Sequence, residues 1–256
     1  MQNSRLAAIT GASSGIGATY ARLLARDGYD LLLIARRKDR LESLAAELPT
    51  TAEILVADLT DGADLEAVAA RLVAEPRLDL LINNAGFGTR GRFWEAASQV
   101  EMHKLHVVAT VTLTRAALPG MVERRRGSIV NVASVAGFMQ NPASVSYCAT
   151  KAWINSFSEG LWLELKAAGL PIRIQALCPG FTYSEFHDVL GVDRSRIPKS
   201  LWMTAEFVVG ESLEALERNQ LFVVPGWRYK FIVWLFAWLP RSLRHAIMLR
   251  YGSRHR

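Results

Sequence analysis

The chain has 256 residues, half of them apolar, and its 30 Lys and Arg outnumber its 24 Asp and Glu, which gives a net charge of +6. This length and composition allow one large buried core, and no low-complexity segment, internal repeat or long linker divides the chain. The basic residues gather at separate places that lack a recognition motif, so we expect no nucleic-acid partner.

Two cysteines, Cys148 and Cys178, are too few for a disulfide framework or a metal-ligand cluster, and they are typical of a reducing compartment. The first residues lead straight into a predicted strand without a secretory signal. We therefore expect a cytoplasmic protein with no metal site.

Apolar runs of strand length alternate with segments of helical period. The predicted strands are residues 6–10, 30–35, 53–57, 78–82, 128–133, 172–177 and 221–224, and the predicted helices are 15–27, 38–48, 62–74, 100–123, 144–168 and 204–218. Because strand-helix units repeat, we predict an α/β fold with a parallel sheet covered by helices on both faces. We expect one domain over residues 1–226, followed by an apolar and basic extension over 227–256.

A glycine-rich turn follows the first predicted strand directly and opens a helical pattern. Its residues are Gly11, Ser13, Ser14, Gly15, Ile16 and Gly17. Glycines allow a tight turn and a close backbone approach to a pyrophosphate, whose charge the helix N-terminus meets. The spacing differs from the common Gly-x-Gly-x-x-Gly pattern, and an ordinary flexible turn is the alternative. Its position favours a dinucleotide site.

The second predicted strand ends in Arg36 and Arg37. A site that selects NAD would be expected to have Asp or Glu there, to hold the ribose hydroxyls. Guanidinium groups instead suit a 2′-phosphate, so we predict NADPH as the cofactor. The alternative is an exposed basic helix start.

Three polar residues point to proton chemistry on a carbonyl. Ser134 follows the fifth predicted strand, and Tyr147 and Lys151 lie one helical turn apart on the next helix. A phenol titrates at about pH 10, and a nearby ammonium stabilises the phenolate, so we expect the pKa of Tyr147 to be lowered. The Ser134 hydroxyl can hydrogen-bond an oxygen that gains negative charge. An interfacial Tyr beside a solvated Lys is the alternative.

Taken together, these motifs resemble the short-chain dehydrogenase/reductase family over roughly residues 5–185. The matching blocks are residues 10–17, Asn83-Asn84-Ala85-Gly86, Ser134, Tyr147-x-x-x-Lys151 and Pro179-Gly180. The resemblance implies a Rossmann-type doubly wound sheet, a nicotinamide cofactor and hydride transfer between a carbonyl and an alcohol. It also implies cofactor contacts from Asp58, Asn83, Ala85, Gly86, Tyr147, Lys151, Pro179, Gly180 and Thr182.

Three of these implied contacts have alternatives. Asp58 could instead cap the helix that begins near Asp61. Asn83 could brace the neighbouring strand, and Thr182 could have a capping role. Residues 180–203, which follow, are long enough to act as a lid over substrate.

The sequence departs from the family's pattern at His106. The family usually has an Asn on this helix, where it serves a proton relay through water to the Lys. A neutral imidazole both donates and accepts, so we expect His106 to bridge the same water as a catalytic residue. Protonation would make it repel Lys151 and give the relay a pH dependence near the ordinary pKa of His. The alternative is a buried His bonded to backbone.

The C-terminal extension combines an unbroken apolar run, residues 231–239, with basic flanks. This run is shorter than the ~20 residues of a spanning helix. Residues 228–256 contain Lys and Arg but no Asp or Glu, and Trp at such a boundary is typical of an interfacial anchor. We expect either peripheral membrane contact or a core-packing or dimer helix.

The predicted activity is NADPH-dependent reduction of a ketone to a secondary alcohol, on a lipid-like 3-oxoacyl substrate. Residues 178–187 resemble the branch of the family that reduces long-chain 3-oxoacyl groups, and apolar residues are expected to rim the pocket: Phe138, Met139, Val145, Phe181, Phe186, Trp202 and Met203. The alternatives are a reductase of steroid, retinoid or xenobiotic carbonyls and a non-catalytic nucleotide-binding scaffold. The family's pairing through two long helices implies a homodimer or homotetramer.

Overall fold

The computed structural model describes residues 5–89, 91–186, 190–191 and 194–253. Seven parallel strands form one sheet in the order β3-β2-β1-β4-β5-β6-β7. The strands are β1 (Leu6–Thr10), β2 (Asp30–Ala35), β3 (Ala52–Val56), β4 (Leu78–Asn83), β5 (Gly127–Val132), β6 (Ile172–Leu177) and β7 (Phe222–Val223). The predicted Rossmann-type fold class is confirmed.

Helices cover both faces of the sheet. They are α1 (Gly15–Arg26), α2 (Lys38–Glu47), α3 (Gly62–Val73), α4 (Gln99–His103), α5 (Thr110–Glu123), α6 (Val145–Ala167), α7 (Ala205–Glu217), α8 (Trp227–Trp238) and α9 (Arg241–Ser253). A π-helical segment, Lys104–Ala109, joins α4 to α5 without a break. The predicted apolar run lies in α8, and α9 is a helix that periodicity did not predict.

The core has two layers because successive side chains of a strand point to opposite faces. Ala7 and Ile9 of β1 pack with α1 and α7, whereas Leu6 and Ala8 pack with α3 and α5 on the other face. Since both faces are covered, the central strands are almost entirely apolar. Strand order reverses between β1 and β4, and this switch point opens a crevice at the carboxyl ends of the strands.

The side chain of Asn83 lies inside the protein rather than in the crevice. Its Nδ2 donates to Thr114 Oγ1 at 3.1 Å and to Asn131 Oδ1 at 2.9 Å, and Asn131 in turn donates to Ser158 Oγ at 3.0 Å. This polar network joins β4 to β5, α5 and α6. The expected cofactor contact of Asn83 is therefore wrong for its side chain, and the bracing alternative describes it.

Asp58 does not cap a helix. Helix α3 begins after Asp61, whose carboxylate accepts from the backbone N–H groups of Ala63 and Asp64. The Asp58 carboxylate instead accepts from the backbone and hydroxyl of Thr60, and it pairs with Arg36 at 3.5 Å. Asp58 thus lies at the wall of the crevice, and its contact with the cofactor stays a prediction.

One helical stretch among the described residues, Gln99–Glu123, is long and apolar enough to cross a bilayer, with a mean hydropathy of 1.3. It packs along the sheet as a core helix, with Met102, Leu113 and Met121 buried. Membrane insertion of this stretch would expose the other half of the core, so its apolar character is explained by packing.

A fully buried hydroxyl network ties α1 to α7 and β6, and it allows a test of the fold. Ser212 donates to Gln175 and accepts from the Tyr20 hydroxyl. Tyr20→Phe should lower the free energy of unfolding by about 1–2 kcal/mol, because Ser212 loses a buried donor. Urea unfolding followed by circular dichroism measures this.

Tyr183→Phe is the matched control, because the Tyr183 side chain is 42% exposed and its change should stay within about 0.5 kcal/mol. Equal losses in the two variants would contradict the assigned network.

Candidate active site

A crevice of about 1890 Å³ lies over the carboxyl ends of β1, β4, β5 and β6. It exceeds the ~300–1,000 Å³ of a typical small-molecule site, so it has room for a dinucleotide and a second ligand. It is lined by most of the predicted site residues: Gly11, Ser13, Ser14, Gly15, Ile16, Arg36, Arg37, Asp58, Ala85, Gly86, Ser134, Tyr147, Lys151, Pro179, Gly180 and Thr182. Gly17, Asn83 and His106 are predicted site residues that do not line it.

The glycine turn, residues 11–17, packs closely against the residues that follow β4. Gly11 has φ +65°, and a Cβ there would lie 2.9 Å from the Ala85 Cα. Gly15 has φ +55°, so a side chain at either position would also strain the backbone. Gly17 lies beneath the turn, where a Cβ would collide with the Gly11 carbonyl oxygen. Gly17 therefore shapes the turn without forming its wall, which corrects its expected contact.

The N-terminus of α1 is suited to an anion. Ser14 is the N-cap residue, but its side chain makes no capping hydrogen bond. The first-turn N–H groups thus have no side-chain partner, and the helix dipole places partial positive charge beside them. Together with the glycine cradle, this arrangement fits the pyrophosphate of a dinucleotide.

Arg37 is held across the mouth of this cradle. Its guanidinium donates to the hydroxyls of Ser13 and Ser14, each at 3.0 Å, and to the Glu185 carboxylate at 2.9 Å. Arg40 approaches the same carboxylate at 3.4 Å. Hydrogen bonding to Arg37 lowers the pKa of Glu185, so the carboxylate is ionised. Sequence reasoning did not assign Glu185 to the site, because its contact with Arg37 joins residues 148 positions apart.

Ser134 and Tyr147 meet at the centre of the crevice. Ser134 Oγ accepts from the Ala136 backbone N–H at 3.1 Å and lies 3.4 Å from the Pro179 carbonyl oxygen. Burial raises the pKa of Tyr147 to about 12, and hydrogen bonding to Ser134 lowers it by less. The expected lowering of the Tyr147 pKa is therefore wrong for the chain without ligands. Desolvation of the phenolate outweighs the hydrogen bond from Ser134, and the phenol stays protonated at neutral pH.

Lys151 is a buried cation. Its Nζ donates to the Val132 carbonyl oxygen at 2.7 Å and lies 5.7 Å from the centroid of the Tyr147 ring. Burial lowers the pKa of Lys151 to about 8. Tyr147 and Lys151 do share one face of α6, as their spacing predicted.

His106 is buried behind the crevice with both ring nitrogens bonded. Nε2 accepts from the Phe87 backbone N–H at 3.2 Å, so Nδ1 carries the proton and donates to Thr150 Oγ1 at 2.9 Å. Burial, then the positive charge of Lys151, holds the pKa of His106 well below its usual value. Both ring nitrogens thus have protein partners, and burial favours the neutral ring, which supports the alternative; the relay through water stays a prediction.

The outer crevice is apolar. Met139, Val145, Phe181 and Phe186 line it as predicted, and the Phe186 ring lies 5.7 Å from that of Tyr147. Phe138, Trp202 and Met203 do not line it, because Phe138 packs on Phe222, Trp202 stacks on Tyr183, and Met203 packs against the core. Helices α8 and α9 supply further apolar lining that sequence reasoning missed: Ile232, Phe236, Ile247, Met248 and Leu249.

Tyr229 attaches α8 to the crevice. Its hydroxyl accepts from the Phe181 N–H at 2.9 Å and donates to the Leu201 carbonyl at 2.7 Å. A Cβ at Gly180 would overlap the Tyr229 ring, so glycine at this position lets the helix pack. Sequence reasoning did not assign Tyr229 to the site.

Asn84 is another residue that sequence reasoning did not assign. Its Nδ2 donates to the carbonyl oxygen of Thr10 at 2.9 Å and holds the glycine turn against the end of β4.

Sequence and fold comparisons relate this chain to known proteins. The short chain dehydrogenase family model matches residues 5–194. A short-chain dehydrogenase from Sphingobium yanoikuyae, solved in complex with NADPH, is 37% identical with a TM-score of 0.82, over 93% of this chain and 97% of that one. A bulky-bulky ketone specific alcohol dehydrogenase from Comamonas testosteroni is 32% identical with a TM-score of 0.77, over 99% and 95%.

A very-long-chain 3-oxoacyl-CoA reductase from Anas platyrhynchos is 27% identical over 98% of this chain and 80% of its own. The family model covers well over half of the chain, and the glycine turn and the Ser, Tyr and Lys group lie within it. The chain belongs to the short-chain dehydrogenase/reductase family and is an NAD(P)-dependent oxidoreductase.

Proposed function

We propose that this enzyme uses NADPH to reduce the ketone of a bulky, lipid-like 3-oxoacyl substrate to a secondary alcohol. The observation that supports this most directly is that Ser134, Tyr147 and Lys151 line one crevice, with the Lys151 Nζ 5.7 Å from the centroid of the Tyr147 ring. This group lies where the cationic and glycine-rich half of the crevice meets its apolar half.

The cofactor, when bound, supplies the hydride. The α1 N-terminus with Gly11, Ser13, Ser14, Gly15 and Ile16 would hold the pyrophosphate, and Arg36 and Arg37 would hold the 2′-phosphate. Asp58 would contact the adenine. Residues at the inner end of the crevice would contact the nicotinamide and its ribose: Ala85, Gly86, Lys151, Pro179, Gly180 and Thr182.

The side chains perform the proton chemistry. Ser134 and Tyr147 hydrogen-bond the ketone oxygen, and Tyr147 gives up its proton as negative charge develops there. A phenol with a raised pKa is fully protonated at the start of this step. Lys151 then stabilises the phenolate that is left, since its ammonium lies beside the ring.

The substrate class follows from the outer crevice. Aromatic and aliphatic side chains line it from several directions, and α8 adds more, which suits a long or bulky apolar group on the ketone. Two relatives act on such ketones by name, one on bulky-bulky ketones and one on very-long-chain 3-oxoacyl-CoA.

We further propose a homodimer or homotetramer in the cytoplasm. The long helices α5 and α6 leave apolar side chains exposed, Val111 at 36% and Leu163 at 55%, which supports pairing through them. Residues 1–226 would form the dinucleotide-binding and catalytic unit. Residues 227–256 would form an extension over its pocket, with peripheral membrane contact.

Tyr147→Phe should reduce ketone turnover by about 10²–10⁴-fold, because the proton donor is removed. Ser134→Ala should retain more activity, since Tyr147 still contacts the oxygen. NADPH consumption with 3-oxoacyl thioesters, steroids and simple ketones measures both variants and the substrate class.

NADPH affinity, followed by its fluorescence, is the control for folding in both variants. Unchanged turnover in Tyr147→Phe would contradict the proposed mechanism. Preference for steroids over 3-oxoacyl thioesters would correct the substrate class.

The 2′-phosphate site predicts opposite effects of two substitutions. Arg37→Gln should weaken NADPH binding about tenfold and leave NADH binding unchanged, because a charge-assisted bond to the phosphate is lost. Glu185→Gln should tighten NADPH binding, because a carboxylate that competes for Arg37 is neutralised. Titration of each nucleotide by fluorescence measures the four affinities.

Arg22→Gln is the matched control, since the Arg22 side chain is 45% exposed, close to the 43% of Arg37, and pairs with Glu47 away from the crevice. Equal loss of NADH and NADPH affinity in Arg37→Gln would contradict selection through the phosphate.

The rate of ketone reduction should fall as pH rises above about 8, which is the pKa of Lys151 in the ligand-free chain, and bound NADPH should shift the midpoint upward. Below this pH Lys151 is charged, and above it the charge is lost, whereas Tyr147 keeps its proton up to about pH 12. Lys151→Arg should abolish this decline, because a guanidinium stays protonated. The measurement is a pH profile at saturating NADPH.

His106→Asn should leave the pH midpoint unchanged, because His106 is neutral throughout this range. If the native enzyme has a midpoint near the ordinary pKa of His and the His106→Asn variant lacks it, His106 titrates and this prediction is wrong.

A further inference from the structure

Helix α8 presents apolar side chains on opposite sides. Five of them form an outer stripe that is 38–75% exposed: Trp227, Phe231, Trp234, Leu235 and Trp238. Their spacing of three and four residues places them on one helical face. Tyr229, Ile232 and Phe236 lie on the other side and line the crevice. The inner face is therefore explained by the pocket, and the outer stripe requires a different partner.

The outer stripe is large for a surface in water. It holds three of the seven Trp in the chain, and contiguous exposed apolar patches mark interaction sites. Trp is also the side chain that concentrates at the boundary between a bilayer and water. Its indole combines an apolar body with a polar N–H, which suits the headgroup region.

The charged residues of the segment that carries the stripe have one sign, although Lys230 pairs with Glu211 of α7 at 3.4 Å. Residues 227–253 include Arg228, Lys230, Arg241, Arg244 and Arg250, and no Asp or Glu. The Arg228 guanidinium lies 4.7 Å from the centroid of the Trp227 ring, so a cation lies directly beside the stripe. Cationic flanks on an apolar helix face complement an anionic lipid surface.

We propose that the outer stripe docks α8 onto an anionic phospholipid bilayer. The inner side of the same helix lines the apolar crevice, so docking holds the crevice about one helix diameter, roughly 10 Å, from the lipid surface. A lipid-like ketone then has only a short path from the bilayer to Tyr147. This delivery step rests on the proposed ketone reduction, whereas docking itself does not.

A second copy of the chain fits the stripe less well than a bilayer does. A two-fold contact would bring the same patch from each subunit together. It would bring the Arg and Lys side chains of residues 227–253 from both copies to one interface, to which this segment supplies no Asp or Glu, and bringing like charges together is unfavourable.

The docked helix is fixed to the catalytic unit. Tyr229 donates to Leu201, accepts from Phe181, and packs on Gly180. The orientation of the crevice relative to the bilayer is therefore set by buried contacts.

Co-sedimentation with lipid vesicles tests the proposal. The full chain should bind vesicles of phosphatidylcholine mixed with phosphatidylglycerol and bind phosphatidylcholine alone more weakly. Replacing Trp234 and Trp238 together by Ser should weaken binding at least roughly tenfold. Replacing Arg228 and Arg241 by Gln should weaken binding to the anionic vesicles about fivefold per charge.

Matched controls lie elsewhere on the surface. Val73→Ser removes an apolar side chain of α3 that is 71% exposed, and Arg218→Gln removes a cation that directly follows α7. Both variants should bind vesicles as the native chain does. Unchanged NADPH affinity shows that each variant is folded.

Three results would overturn the proposal. The first is that the native chain binds neither kind of vesicle. The second is that the double Trp variant binds vesicles as tightly as the native chain does. The third is that the native chain binds no vesicles and is a dimer by light scattering, whereas the double Trp variant is not a dimer. The last result would assign the stripe to a second copy. Anionic vesicle binding that depends on the two Trp, in a chain that reduces no ketone tested, would uphold docking and reject the proposed function.

Discussion

The close approach of the glycine turn to the end of β4 is the constraint on which the site depends. Gly11 leaves no room for a Cβ against Ala85, and Asn84 fastens the two segments by donating to the Thr10 carbonyl. This contact fixes the switch point of the sheet, so the α1 N-terminus and the ends of β4 and β5 face one space. The crevice has its shape because the backbone of Gly11 packs directly against the backbone of Ala85.

Desolvation then sets the chemistry of that space. Tyr147 and Lys151 are forced toward their neutral forms by burial, in opposite pKa directions. A cofactor with negative phosphates would add charge of the sign that favours an ammonium. The ligand-free chain therefore contains a protonated phenol beside an ammonium whose pKa is lowered to about 8.

Sequence reasoning predicted the sheet, the bounds of the helices from α1 to α7 and most of the glycine-turn and catalytic residues of the crevice, because these depend on periodicity and on local motifs. It did not predict α9 or the apolar lining from α8 and α9. Asn83, Gly17 and His106 all belong to matching or near-matching motifs, but their side chains are used for packing or bracing, which depends on contacts across the fold. Glu185 and Tyr229 escaped notice for the same reason, since each acts on residues far away in sequence.

The π-helical turn at Lys104–Ala109 has a consequence for the length of the chain. A π-turn contains one residue more than an α-turn, and this extra residue sets the direction in which His106 points. Loss of a single residue here would restore regular helix geometry while turning the imidazole away from the Phe87 amide. That amide would then lack its acceptor beside the crevice. A more regular helix would thus give a less well-formed enzyme, and this stretch is expected to tolerate substitution better than deletion.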